Sequence, residues 1–255
     1  MVEAVSLTKC YSRIPAVSNV SFRIDRHQVL GYLGPNGSGK STTVKMLIGL
    51  IQPSSGQVFF EGRSIRDDLT GYKRRLGYVP EEPNLYPYLS GSEYLELVGG
   101  LRGMDAADVR KKSADLLELF SLTMHRHSPV IAYSKGMRQR LLISSALLHD
   151  PDILIFDEPL SGLDVSTALV FRKLVAALAK RGKAILYCSH VLEVVEKVCT
   201  HVLVLHRGNV VAHESIEGIR KLASKPSLEE VFAELTNQAD TDAIASDIVE
   251  AIAAR

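Results

Sequence analysis

The chain has 255 residues, a formal net charge of +1, 46% hydrophobic residues and 23% charged residues. That length suits one large domain, or a domain with an inserted subdomain, and the balance suits a globular protein with a sizeable core. It excludes an overall basic field that would gather nucleic acid or an anionic membrane, and Cys10, Cys188 and Cys199 lack metal-ligand spacing and suit a reducing compartment.

Residues 2–8 and 16–24 alternate apolar and polar and read as strands. Residues 28–33 form a short apolar run, expected as a buried strand. The stretch "KSTTVKMLIGLI" (40–51) reads as a helix, 53–56 as a turn, and 58–60 as a strand. Gly77 to Val79 reads as the end of a buried strand feeding a loop with three prolines, "PEEPNLYP". Residues 92–120 are mostly helical with a break at Gly103, and a further helix runs from Ser134 to Leu148. The second half alternates: strand at "DILIFDEP", helix at 165–181, strand at "KAILYCSH", helix at 191–198. A strand pair follows, turning at Gly208-Asn209. This alternation argues for a largely parallel sheet covered by helices, interrupted by a helical insertion at about 90–150.

Near the end, Ser227 and Glu230 have capping-box spacing, and Leu228, Val231, Phe232 and Leu235 make an apolar helical stripe suited to core packing. Residues 236–255 form a tail in which Ile244, Ile248, Val249 and Ile252 share one helical face. A docking helix and a loosely held tail both fit that pattern. No apolar stretch reaches bilayer length, and the first residues lack the pattern of a signal peptide. A membrane role is therefore expected to run through another chain, from the cytosol.

The chemistry starts at "GPNGSGKS". It matches the phosphate-loop (Walker A) pattern G-x-x-x-x-G-K-[ST], placed after a strand and opening a helix. Gly34, Pro35, Asn36, Gly37, Ser38, Gly39 and Thr42 shape a loop whose backbone N–H groups turn toward phosphate oxygens. Lys40 supplies a cation to the outer phosphates and Ser41 a hydroxyl to Mg²⁺. The strand "ILIFD" then brings Asp157 to the sheet edge as a Mg²⁺ carboxylate, and Glu158 follows as a base for the attacking water. The guanine-reading Asn-Lys-x-Asp pattern is absent, which disfavours a GTPase.

These motifs, with "YSKGMRQRL" and "SGLD", resemble the nucleotide-binding subunits of ATP-binding cassette (ABC) proteins over about residues 1–235. Ser134 and Gly136 match the family signature Leu-Ser-Gly-Gly-Gln, whereas Tyr133, Lys135 and Met137 depart from it. Independently of the family, Ser134 can cap a helix whose N-terminus suits phosphate. "SGLD" is identical to the family's D-loop and ends in Asp164. His190 sits where the family places its γ-phosphate-sensing histidine. Tyr11 sits where the family stacks an aromatic on adenine, although an ordinary exposed tyrosine also fits. The resemblance implies an α/β, RecA-like P-loop core with an antiparallel β subdomain and an inserted α-helical subdomain.

It further implies ATP and Mg²⁺ as cofactors and a head-to-tail dimer with an identical or homologous subunit. Separate transmembrane permease subunits would dock near Glu81–Leu89, at the cytoplasmic face of the membrane. Glu81 occupies the position of the family's loop glutamine. It either offers a carboxylate oxygen to the metal or only shapes the loop. "Pro-Glu-Glu", "YSKGM" and "SLEEVFAEL" resemble an exporter-like branch. A soluble family member acting on ribosomes or DNA is the alternative. It is disfavoured because the chain lacks a second cassette, a long coiled coil and a basic groove. Intact Lys40, Asp157, Glu158 and His190 disfavour a regulatory module without turnover.

Overall fold

The computed structural model describes residues 1–223 and 228–236. In chain order the elements are β1 (Val2–Tyr11), β2 (Ile14–Ile24), β3 (Val29–Leu33), α1 (Lys40–Leu47), β4 (Ser55–Phe60) and β5 (Arg63–Ser64). There follow α2 (Leu69–Arg74), β6 (Leu76–Val79), α3 (Gly91–Leu101), α4 (Ala106–Leu119), α5 (Lys135–Leu147) and β7 (Ile153–Asp157). The chain continues with α6 (Val165–Lys180), β8 (Ala184–Cys188), α7 (Leu192–Val198), β9 (His201–His206), β10 (Asn209–Ser215), α8 (Ile216–Ala223) and α9 (Leu228–Leu235).

The strands form two sheets. A four-stranded antiparallel sheet has the order β2-β1-β4-β5, and a six-stranded sheet the order β10-β9-β3-β8-β7-β6. In the larger sheet β9, β3, β8, β7 and β6 run parallel and β10 is antiparallel at one edge. Every residue of β3, β7 and β8 is buried, because both faces are covered. Leu30, Tyr32, Ile153, Ile155, Leu186, Leu203 and Leu205 face a core shared with α1 and the antiparallel sheet. Their neighbours Leu33, Leu154, Phe156, Ile185, Tyr187, Val202 and Val204 face a second core built with α3 to α7. There Phe156 meets Phe171 of α6 edge-on at 5.1 Å between ring centroids. The chain is thus a P-loop NTPase-like α/β fold with mixed sheets and flanking helices.

Local chemistry sets the helix ends. α1 stops four residues short of the expected Ile51. Gly49, at φ +67, takes the left-handed C′ position, and N–H groups of Gly49 and Leu50 cap the carbonyls of Met46 and Lys45. α3 opens on a capping box in which Ser90 Oγ accepts from Glu93 N and Glu93 Oε2 accepts from Ser90 N at 2.8 Å. Asp105 caps α4, and the chain turns at Gly103 between the two helices.

Several boundaries differ from the sequence expectation. β1 and β2 extend to a tight turn at Ser12-Arg13, closed by the pair Tyr11 and Ile14. The β9–β10 turn is Arg207-Gly208 rather than Gly208-Asn209, since His206 pairs with Asn209. Both turn residues have positive φ, as a two-residue hairpin loop requires. Ser55 and Gly56, read as turn, belong to β4. At the C-terminal end Leu228 and Val231 are buried, and Phe232 and Leu235 pack against the same core. The expected stripe is therefore packed. Ser227, Ile244, Ile248, Val249 and Ile252 lie outside the described residues.

Candidate functional site

The parallel register brings four strand ends to one edge of the sheet. Tyr32 of β3 and Asp157 of β7 both lie beside Cys188 of β8, and Val79 of β6 pairs with Phe156. The loops leaving these ends carry Gly34–Thr42, Glu81, Glu158 and His190. They enclose a cavity of about 340 Å³ lined by Asn36, Gly37, Gly39, Lys40, Ser41 and Thr42, and also by Glu81, Asp157, Glu158 and His190. Ligand sites at the carboxyl ends of parallel strands follow from this geometry, since the loops there can converge without crossing the sheet.

The glycine-rich loop is held by contacts that leave no room for a larger residue at Gly34 or Gly39. A Cβ on Gly34 would stand 2.4 Å from Leu205 O and from Ser38 Oγ. Ser38 donates its N–H to Pro35 O at 3.1 Å, and its own carbonyl accepts from Gly208 N at 2.9 Å. Lys40 folds back over the loop and donates from Nζ to Gly34 O at 2.5 Å and to Pro35 O at 3.1 Å. Gly39, the N-cap of α1, offers no side-chain acceptor to the N–H groups of the first turn. These donors and the positive end of the helix suit an anion. Ser38 Oγ is buried without a hydrogen-bond partner.

The carboxylates form the opposite wall. Asp157 is 7% exposed. Burial, then the charges of Glu81 and Glu158, push its carboxyl up to about 6, against the pull of Lys40 and Lys45. This undercompensated negative charge fits a hard divalent cation. Among the described residues no three His, Cys, Asp or Glu side chains could themselves hold a metal ion. That donor set suits Mg²⁺, which is held by one or two carboxylates and completes its shell with phosphate and water oxygens.

A carboxyl ionised at higher pH when folded than when unfolded costs stability. Below about pH 4 the group is protonated in both states and the cost is absent. It grows as pH rises and is full above the folded value of about 6. Asp157→Asn is therefore expected to stabilise the nucleotide- and metal-free protein by about 1–3 kcal/mol at pH 7.5, with the gain vanishing near pH 4. Thermal unfolding at the two pH values checks this, and an equal shift at both would contradict it.

Glu158 has φ +47, a left-handed conformation rare for a non-glycine residue. Its N–H donates to Cys188 O at 3.0 Å. Oε1 accepts from His190 N at 2.8 Å and lies 2.7 Å from His190 Nδ1, which acts as donor to the carboxylate. Oε2 accepts from Ser189 Oγ at a longer 3.3 Å. The strained turn thus aims one oxygen at the His190 segment and leaves the other weakly bonded at the cavity wall.

Of the residues singled out from sequence, Gly34, Pro35 and Ser38 of the phosphate loop do not line this cavity, and neither do Tyr11, Ser134, Gly136 and Asp164. Tyr11 ends β1, is 51% exposed and carries the Lys9 ammonium 5.6 Å from its ring centroid. Ser134 caps α5 by accepting from Met137 N at 3.2 Å. Gly136 abuts the 161–164 segment, where a Cβ would come 2.6 Å from Gly162 O. Asp164 caps α6, and hydrogen bonds from Ser166 and Thr167 hold its carboxyl well below the usual range. Tyr133, a departure from the signature, is buried and donates its hydroxyl to His125 O at 2.7 Å.

Sequence reasoning missed five residues that line this cavity or the one beside it: Ala16, Leu33, Ser189, Leu192 and Phe232. Ala16 and Ser189 line the two cavities flanking His190, and Phe232 reaches the second from α9. Ser189, next to His190, could have been found from the strand end. Ala16 and Phe232 arrive from distant segments and carry no local signal.

Comparison with known proteins agrees with this geometry. The family described as "ABC transporter" matches residues 17–161, more than half of the chain. The chain is 33% identical over 236 residues to the ABC transporter ATP-binding protein NatA of Bacillus subtilis (strain 168), covering 89% of this chain and 96% of that one. A solved ATP-binding subunit of an ABC transporter superposes with a TM-score of 0.87 at 32% identity, covering 92% of this chain and 99% of that one. The cassette MJ0796, solved as a dimer in a post-hydrolysis state with ADP and Pi, gives a TM-score of 0.78 at 27% identity over 85% of this chain and 99% of that one. With its phosphate loop, acidic wall and His190 gathered at one sheet edge, the chain belongs to the ABC transporter family, as an ATP-binding and ATP-hydrolysing subunit.

Proposed function

We propose that the chain powers export through separate membrane subunits, as one half of a head-to-tail dimer that closes on two ATP molecules. One observation carries the reading: the phosphate-loop cavity contains Glu81, Asp157, Glu158 and His190 but neither Ser134, Gly136 nor Asp164. The capped N-terminus of α5 is a second anion-suited helix end on the same molecule. Head-to-tail pairing brings the Ser134 end of one copy to the phosphate loop of the other. Tyr11 stacks on the adenine.

Lys40 and the N–H groups of the loop and of α1 hold the phosphates in line with the water. Ser41, Asp157 and Glu81 would hold Mg²⁺, which would supply positive charge against the charge that develops on the phosphates. Glu158 takes the proton of the attacking water through Oε2. The water oxygen bonds to the γ-phosphorus as its bond to the bridging oxygen breaks, and ADP leaves with that electron pair. His190, held by Glu158 Oε1, contacts the γ-phosphate. The hydrolysed pair no longer bridges the two copies, and the dimer opens.

The membrane partners dock on the loop at Glu81–Leu89. Tyr86 and Tyr88 there are 62% and 83% exposed. No helix among the described residues is long and apolar enough to cross a membrane. The chain then works at the cytoplasmic face, peripherally. Export is supported by the resemblance of "Pro-Glu-Glu", "YSKGM" and "SLEEVFAEL" to the exporter-like branch.

Ser134→Arg tests the shared site. It places a bulky cation at the α5 end without touching the phosphate-loop cavity. ATP affinity of the single copy is expected to stay within about twofold, while ATP-dependent dimerisation is lost; burying an unpaired charge at such an interface costs several kcal/mol. Size-exclusion chromatography with MgATP reads the outcome, and normal dimerisation would remove the shared-site reading. Co-purification with ribosomes or DNA, rather than a membrane protein, would remove the transport reading.

A further inference from the structure

A second cavity of about 410 Å³ adjoins the first, and Asn36, Glu81 and His190 line both. His190 therefore stands between them. Leu192 of α7 and Phe232 of α9 also line the second cavity, together with Pro35 of the phosphate loop. α7 begins two residues after His190, so its placement is the placement of the histidine.

α9 grips this unit at two points. Its first residue, Leu228, donates its N–H to Glu196 Oε1 of α7 at 2.7 Å. One turn on, Phe232 reaches the cavity, while Leu228 and Val231 fill the core beneath. The His190 side chain is itself 75% exposed and tied on its inner side to Glu158. α7 and α9 pack on each other, so the segment that carries His190 leads directly into this packed pair.

We propose that Phe232 is a positioning residue for γ-phosphate recognition, through which the C-terminal helix α9 sets the His190 segment. The inference rests on the role given above to His190. It separates the stripe into two parts. Leu228 and Val231 hold the helix to the core, and Phe232 serves the nucleotide site. Whatever moves α9 then changes how well ATP is told from ADP.

The test uses the full chain with Mg²⁺, titrated with ADP and with a non-hydrolysable ATP analogue. His190→Ala is expected to lower the preference for the analogue about tenfold, the worth of one charge-assisted hydrogen bond. Phe232→Ala is expected to lower that preference about three- to tenfold while ADP affinity holds within about twofold, a γ-phosphate-specific loss that general destabilisation would not produce. Phe232→Leu restores most of it. The double variant is no worse than His190→Ala, because the two residues act in series.

An unchanged preference in Phe232→Ala, beside a lost one in His190→Ala, overturns this inference alone. So do equal weakening for both nucleotides and additive losses. An unchanged preference in His190→Ala overturns the role of His190 and the inference with it. If Phe232→Ala does not fold, Glu196→Gln, which weakens the tie to α9, carries the same expectation and the same refutation.

Discussion

Glu158→Gln is expected to lower ATP turnover by about 10²–10⁴-fold, the range lost when a positioned general base is removed. The amide matches the carboxylate in shape and still offers an oxygen to His190 N, now 2.8 Å away. It cannot take a proton. Nucleotide binding relies on the phosphate loop and α1 and is expected to persist. With MgATP present, binding without hydrolysis should accumulate the closed dimer. Phosphate release and size-exclusion chromatography measure the two effects together. Turnover within about twofold of the unaltered chain would exclude Glu158 as the base, since even a modest base contributes about a hundredfold.

Gly39→Ala is expected to destabilise the protein by about 2–5 kcal/mol, combining left-handed backbone strain with overpacking. Gly39 has φ +106, a conformation L side chains rarely adopt. An added Cβ would stand 2.4 Å from Ala16 O and 3.0 Å from Val17 Cγ2. Both neighbours belong to β2 of the antiparallel sheet, so relief would move that strand or the phosphate loop. Either movement spoils the donor geometry at the α1 N-terminus, and nucleotide affinity is expected to fall about a hundredfold or more, as for several lost charge-assisted hydrogen bonds. Gly37→Ala is the control. Gly37 also has positive φ, at +76, but its Cβ would meet nothing within 4 Å. It should lose only the strain, about 1–2 kcal/mol. Equal melting temperatures for the two variants would show that the contact with Ala16 contributes nothing.

Much of the site was legible because its signals are local. The residues Gly34 to Ser41 carry their own turn chemistry, and the apolar runs before Gly34, Asp157 and His190 mark strands whose ends must lie at one edge of a parallel sheet. The cap at Ser134 was equally readable, since the acceptor and the N–H group it serves are within three residues of each other. Periodicity placed Leu228 and Val231 in the core for the same reason.

Signals shorter than the structure they make were missed or misread. α2 spans six residues, too few for a helical period to show, and its Asp68 cap sits among other polar residues. The end of α1 depends on Gly49 rather than on the apolar residues that continue past it. The hairpin of β9 and β10 turns one residue earlier than composition suggests, because pairing of His206 with Asn209 fixes the register.

The sequence by itself determined the family, the fold class and the position of the phosphate loop, because spacing along the chain dictates them. Only the tertiary structure decided which of the candidate residues share one cavity. Packing of distant segments brings Ala16 to it and Phe232 to the cavity beside it, and leaves Tyr11, Ser134, Gly136 and Asp164 outside both. It also decided the state of Asp157, whose carboxyl is raised by burial and by two carboxylates from other parts of the chain. Burial and through-space charge are properties of the folded surface, and no spacing along the chain encodes them.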